Sequence, residues 1–154
     1  MIIGFQKTAI GTIGIAEKRG EICAVYFESE RVPAEAETGR SPLVSEAFRQ
    51  LEAYFSGHLK VFKLPLAPEG TAFQRRVWSV LETIPYGATA SYKEVAGKVG
   101  NPKATRAVGL ANNRNPIPIF IPCHRVIGAD GSLVGYGGGL EIKRFLLGLE
   151  ARHV

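Results

Sequence analysis

Cysteine is scarce in this chain: Cys23 and Cys123 are its two thiols in 154 residues. Too few thiols are present for a disulfide framework. Cys23, His58, Cys123, His124 and His153 are also scattered, whereas a zinc site draws its ligands at short spacings. No metal and no cofactor is expected. Long apolar runs are missing as well; none approaches the roughly 20 residues that span a bilayer. The opening residues, Met1-Ile2-Ile3-Gly4-Phe5, lack the basic flank and small-residue cleavage site of a signal peptide. The expected compartment is the cytoplasm, with no membrane partner. The glycine-rich run Val134-Gly135-Tyr136-Gly137-Gly138-Gly139 lacks the Gly-Lys-Ser/Thr ending of a phosphate loop.

What is present is an ordinary globular composition, 45% hydrophobic and 21% charged, with an uneven distribution of charge. Residues 1–68 hold eight Lys/Arg and eight Glu, a net of zero. Residues 69–154 hold eleven Lys/Arg against six Asp/Glu, a net of +5. Within 91–125 stand Lys93, Lys98, Lys103, Arg106, Arg114 and Arg125, opposed only by Glu94. A basic segment confined to one half suits a polyanion, or a solvated face.

The length suits one good core or two small subdomains, with the likeliest boundary at Pro65 to Gly70. Two domains are expected, 1–68 and 69–154. In the first, Thr8 to Ala16 and Ile22 to Phe27 read as a hairpin around Lys18-Arg19-Gly20-Glu21. Cys23 falls in that second strand and reads as a small core thiol. Residues 28–40 read as a loop. Ser41 and Pro42 start a helix as N-cap and first position, Leu43 to Phe55 carry its helical stripe, and Gly57 stops it. Val61 to Leu66 reads as a returning strand.

In the second half, Thr71 can cap a helix whose stripe is Phe73, Val77, Leu81 and Ile84, with Trp78. Ser91 and Glu94 match a capping box, and Gly100 closes that short helix. Asn101 and Pro102 read as N-cap and first residue of the next. Residues 91–114 thus form helix, tight turn, helix, with cations on both, the pattern of a DNA-binding helix-turn-helix. Its second helix is rich in Ala and Gly. Small side chains let a backbone press on a narrow surface; equally, Ala107 and Ala111 could simply pack on a neighbouring helix. Leu140 to Leu149 closes the chain as a helix, with Glu150 at the end that the helix dipole disfavours for a carboxylate.

Ile121-Pro122-Cys123-His124-Arg125-Val126 sets a nucleophile beside a base. Together with Phe73-Gln74-Arg75-Arg76-Val77-Trp78, Ile84-Pro85-Tyr86-Gly87, Ser91-Tyr92, Gly100-Asn101-Pro102-Lys103-Ala104, Arg106-Ala107-Val108-Gly109, Asn115-Pro116 and Gly135-Tyr136, it resembles the methylated-DNA–protein-cysteine methyltransferases, the 6-O-alkylguanine-DNA alkyltransferases. The match runs from about Thr71 to Glu150 in the family's order and spacing. The resemblance implies an α/β, ribonuclease-H-like N-terminal domain and a mainly α C-terminal domain with a winged helix-turn-helix.

It also implies a role for each residue. Cys123 takes the alkyl group from the 6-oxygen of guanine, and possible substrates extend to 4-O-alkylthymine. His124 acts as base through a water, Glu150 orients the imidazole, and Asn115 is the hinge asparagine that holds the site together. The lesion must leave the stack. Arg106 fills the vacated space, Tyr92 turns the phosphate and contacts the base, and Lys93 and Asn101 meet phosphates. Carbonyls of Cys123 and Val126 accept from the guanine amine, an N–H of Tyr136 or Gly137 addresses the 6-oxygen, and Pro118 walls the alkyl group. Many relatives carry a larger residue at Gly137, so a wider pocket is expected here. Some relatives bind zinc, but this chain lacks the ligand set.

The implied partner is double-stranded DNA carrying alkylated guanine, met by a monomer that turns over once. Two other classes remain. A binding module that recognises alkylated DNA without repair would replace the cysteine, which is present. A cysteine hydrolase would leave the basic helix pair unexplained.

Overall fold

The computed structural model describes residues 1–154, which divide into two compact units, Met1–Pro68 and Glu69–Val154. No helix is long and apolar enough to cross a membrane.

The first unit is a four-stranded sheet covered by one helix. Strands β1 (Ile2–Thr8), β2 (Gly11–Lys18) and β3 (Glu21–Tyr26) form an antiparallel meander, and the short β4 (Glu37–Thr38) pairs parallel with β1, giving the order β3-β2-β1-β4. Helix α1 (Pro42–Phe55) starts as its sequence predicts, with the Ser41 hydroxyl accepting from Val44 N. It lays Val44, Ala47, Phe48, Leu51 and Tyr54 against the sheet's Ile3, Ile13 and Ile15. The close approach needs Gly4, since a Cβ there would stand 2.8 Å from Val44 Cγ1.

Four expectations for this unit change. The hairpin around Lys18 to Glu21 stands as β2 and β3, but its first strand begins at Gly11 rather than Thr8: Thr8 ends β1, and its Oγ1 donates to the Gly11 carbonyl at 2.7 Å and accepts from Ile10 N at 3.2 Å, reversing the chain. The 28–40 loop contributes β4. Val61 to Leu66 forms no strand beyond a single bridge from Leu66 to Ile22. The Gln50 amide takes both backbone groups of Lys63, at 2.9 and 3.1 Å, so a side chain does what a neighbouring strand would. Cys23 is half-buried rather than core, its thiol directed to the Ala16 carbonyl.

The second unit packs α2 (Ala72–Leu81), α3 (Tyr92–Val99) and α4 (Thr105–Asn113) on one another. Its remaining elements are the short parallel pair β5 (Ala90–Ser91) and β6 (Val126–Ile127) and the closing helix α5 (Leu140–His153). Capping boxes start α2 (Thr71 with Gln74) and α3 (Ser91 with Glu94). Gly100, at φ 93°, ends α3.

Asn101 does not start α4, contrary to the sequence reading. Its N–H returns to the Ala96 carbonyl at 3.1 Å while Gly100 N bonds the Gly97 carbonyl, so both residues terminate α3 in a Schellman closure. Residues 102–103 form a turn, and α4 begins two residues beyond Lys103 behind Ala104, which has no capping side chain. Ala111 is buried, whereas Ala107 is exposed beside Arg106 and Leu110, so the small-residue surface of α4 divides between core and solvent.

Candidate active site

Cys123 follows a strained turn. Ile119, buried and β-branched, sits at φ 74°, a conformation such residues rarely adopt. Asn115 holds the turn: its Oδ1 accepts from Ile117 N at 2.9 Å and its Nδ2 donates to the Ile121 carbonyl at 2.8 Å. Ile121 N closes the same turn on the Ile117 carbonyl at 2.9 Å. The chain then enters a 3-10 turn, Cys123–Arg125, in which all three side chains are buried. Pro118 is buried in the run leading to it.

The imidazole of His124 is wholly buried, and its Nε2 lies 2.6 Å from Glu150 Oε2. A carboxylate only accepts, so the ring proton sits on Nε2 and leaves Nδ1 as the lone-pair nitrogen. That Nδ1 is buried with no hydrogen-bond partner. Burial pushes the His124 imidazole below its ordinary 6.5; the bond to Glu150 pulls the other way, and Arg125 and Lys143 add to the lowering. The ring is therefore a neutral base at pH 7.

Glu150 is filled on every side. Arg125 donates Nε to Oε1 at 2.8 Å and Nη2 to Oε2 at 3.0 Å, and Gly87 N donates to Oε1 at 3.1 Å. Arg125 Nη1 reaches the Ile84 carbonyl at 2.7 Å. The guanidinium pairs with the carboxylate inside the protein, and its charge adds to the lowering that burial imposes on His124. Arg125, counted in the basic segment by sequence, is 7% exposed and turns inward, so it belongs to this buried pair rather than to a polyanion-facing surface.

Lys143 is the second inward cation that sequence reasoning missed. It is fully buried on α5, and its Nζ donates to the carbonyls of Val126, Val134 and Gly135 at 2.7, 3.1 and 3.4 Å. Burial pushes its ammonium below the ordinary value, and the charge of Cys123 opposes that shift. Tyr92 Oη donates to the same Val134 carbonyl at 2.9 Å. Helices α3 and α5 thereby pin the glycine-rich segment beside the nucleophile. Burial, and then the charge of Cys123, push the Tyr92 phenol up.

Cys123, His124, Val126, Glu150, Asn115, Pro118 and Tyr92 thus belong to one connected neighbourhood, since β5 and β6 also join the start of α3 to the segment after the cysteine. Tyr136 and Gly137 lie on the glycine-rich segment, half-buried and exposed respectively. Arg106, Lys93 and Asn101 are exposed along α4, α3 and the turn between them, outside the buried relay. The Cys123 carbonyl already accepts from Asn112 Nδ2 and from the Val126 N–H, and the Val126 carbonyl accepts from Lys143 Nζ. The only sequence signal for Arg125 was its place beside His124; Lys143 left none beyond helical spacing.

Comparison with known proteins matches both halves of the chain. A family model described as 6-O-methylguanine DNA methyltransferase, DNA binding domain, matches residues 72–152, and one for that enzyme's ribonuclease-like domain matches residues 1–68. A methylated-DNA–protein-cysteine methyltransferase of Methanosarcina barkeri is 56% identical over 90% of this chain and 80% of its own length. A constitutive one from Bacillus subtilis is 46% identical over 94% and 92%. The structure of Mycobacterium tuberculosis OGT in complex with DNA superposes with a TM-score of 0.94 at 44% identity, covering all of this chain and 95% of that one. With both halves matched and the relay in place, the chain belongs to the 6-O-methylguanine DNA methyltransferase family.

Proposed function

We propose that this protein performs direct-reversal repair, transferring the alkyl group of 6-O-alkylguanine in double-stranded DNA to Cys123. The observation that carries the reading is the buried relay behind that thiol. His124 is neutral, its Nε2 is fixed by Glu150 at 2.6 Å, and its Nδ1 is the nitrogen left to take a proton.

The chemistry balances in one displacement. The thiol proton passes through a water to His124 Nδ1. The thiolate attacks the alkyl carbon; the S–C bond forms as the C–O6 bond breaks, and the electron pair leaves on the guanine oxygen. The proton returns to guanine, so normal base and a thioether at Cys123 remain. No group in the chain reverses a thioether, so each molecule reacts once. 4-O-Alkylthymine offers the same bond to the same nucleophile.

Residues 69–154 are the catalytic and DNA-binding domain, and residues 1–68 form the small α/β domain. The exposed Arg106, Lys93 and Asn101 meet the duplex, with Arg106 occupying the space a flipped nucleotide leaves. Tyr92 contacts the base, an N–H of Tyr136 or Gly137 addresses the 6-oxygen, and Pro118 walls the alkyl group. The protein works as a monomer in the cytoplasm, on nucleoid DNA.

Intact-mass measurement after mixing with an oligonucleotide duplex containing 6-O-methylguanine tests the reading. One added methyl group is expected, mapped to Cys123 and absent from Cys123→Ser. A protein that binds the lesion and stays unmodified would instead be a recognition module.

A further inference from the structure

Asn112 is buried, 1% exposed, one residue before the end of α4. Its Nδ2 donates to the carbonyl of Cys123 at 3.4 Å, and its Oδ1 is buried without a hydrogen-bond partner. Stability does not explain this amide. A long bond returns little, an unpaired buried carbonyl costs free energy, and an apolar side chain of the same size would avoid that cost. The bond nevertheless falls on the backbone of the nucleophile itself.

The neighbouring contacts give it a purpose. Three residues on, Asn115 donates to the Ile121 carbonyl at 2.8 Å. One asparagine in the last turn of α4 and one just past its C-cap therefore hold alternate carbonyls, 123 and 121, on either side of Pro122. Trp78 Nε1 anchors that helix end through the Ala111 carbonyl at 2.9 Å. The Asn113 amide lies against Gly135, where a Cβ would meet it at 2.9 Å. The end of the helix that carries Arg106 thus touches both the nucleophile's backbone and the glycine-rich segment.

We propose that Asn112 is a positioning residue for the alkyl transfer, tying the Cys123 backbone to α4 so that the seat of the DNA-facing helix sets the aim of the thiol. The proposal rests on Cys123 being the nucleophile. Loose polar contacts at reacting groups shorten once substrate is bound, so the 3.4 Å separation suits a contact that acts during reaction. A displacement tolerates little error in aim; a misplacement of about 1 Å costs on the order of a hundredfold.

Asn112→Leu keeps the volume and removes both amide atoms. The test follows alkylation by free 6-O-benzylguanine, which needs no DNA, by intact mass over a range of ligand concentrations, alongside thermal melting. The expected result is a limiting rate lowered by about tenfold or more, an unchanged half-saturating concentration, and a melting temperature equal to or above that of the native protein. A merely structural asparagine would give the reverse, a lower melting temperature with the limiting rate intact, and that result overturns the proposal. Should Asn112→Leu fail to fold, Asn112→Ser replaces it; its hydroxyl stops short of the carbonyl, so the same loss of limiting rate is expected and a native rate overturns the proposal. Failure of the native protein to react, with Cys123→Ser as control, would instead sink the reading of Cys123 as nucleophile.

Discussion

Arg125 and His124, adjacent in sequence, grip the same carboxylate: Arg125 takes both oxygens of Glu150, at 2.8 and 3.0 Å, and His124 takes Oε2 at 2.6 Å. The 3-10 turn makes this possible by sending consecutive side chains to one group on α5. The guanidinium is the charge partner, and in the proposed reaction the imidazole carries the proton. If Glu150 were paired with His124 alone, it would favour the charged imidazolium, which is useless as a base.

Glu150→Gln therefore does two kinds of damage. It leaves the Arg125 charge buried without its partner, which costs about 3–5 kcal/mol, and it loosens the hold on His124. Urea unfolding should show that loss, and the alkylation rate of the remaining folded protein should fall as well. Stability within experimental error of the native protein would contradict the buried pair.

The pH dependence of stability follows from His124. Its folded value is depressed below 6.5 by burial, so above that pH both states are neutral at this ring. As pH falls below 6.5, the unfolded chain takes up a proton that the folded protein refuses. Stability therefore drops on the acid side, by up to about 1.4 kcal/mol per pH unit, until the folded value is reached. Chemical unfolding from pH 8 down to about pH 5 measures it. His124→Asn should flatten the slope in that window; an equal slope in the variant would place the titration elsewhere.

Lys143→Met removes the donor that three carbonyls share. The variant should be less stable by about 1–3 kcal/mol, and amide exchange should quicken in residues 134–136, where two of those carbonyls lie. Charge gives a second readout. The Lys143 ammonium and the Cys123 thiolate stabilise each other, so the pH midpoint for reaction of Cys123 with iodoacetamide should move upward in the variant. A midpoint that stays in place would limit Lys143 to holding the glycine-rich segment.

These two inward cations mark where the sequence stopped being readable. Local chemistry was legible: Ser41, Thr71 and Ser91 act on backbone within three residues of themselves, and the structure places each as a cap. Arg125 and Lys143 answer to partners 25 and 17 residues away in the chain, and in a linear count they look like any cation of a basic half. Ile2–Thr8 was missed as a strand because its pairing depends on the hydroxyl turn at Thr8 and on β4, which no run of β-formers announces. Asn101 shows the opposite error. Asn followed by Pro is a sound helix-start signal, but the preceding Gly100 commits the same residue to ending α3.

On the proposed reading, Arg106 serves recognition and not the chemistry. It is exposed on α4 and takes no part in the hydrogen bonds of the buried relay. Arg106→Ala should leave the reaction with free 6-O-benzylguanine near the native rate, because that ligand is not drawn from a duplex. Repair of 6-O-methylguanine in a duplex should fall by a far larger factor, since extruding a base costs a few kcal/mol that the arginine no longer offsets by filling the gap. Raising salt should weaken duplex binding of both proteins through release of counterions, with a shallower slope for the variant if the guanidinium also lies near phosphate. Single-turnover rates on the two substrates, measured side by side, give the comparison. Equal losses on both would mean that Arg106 supports the fold or the thiol rather than the extruded nucleotide.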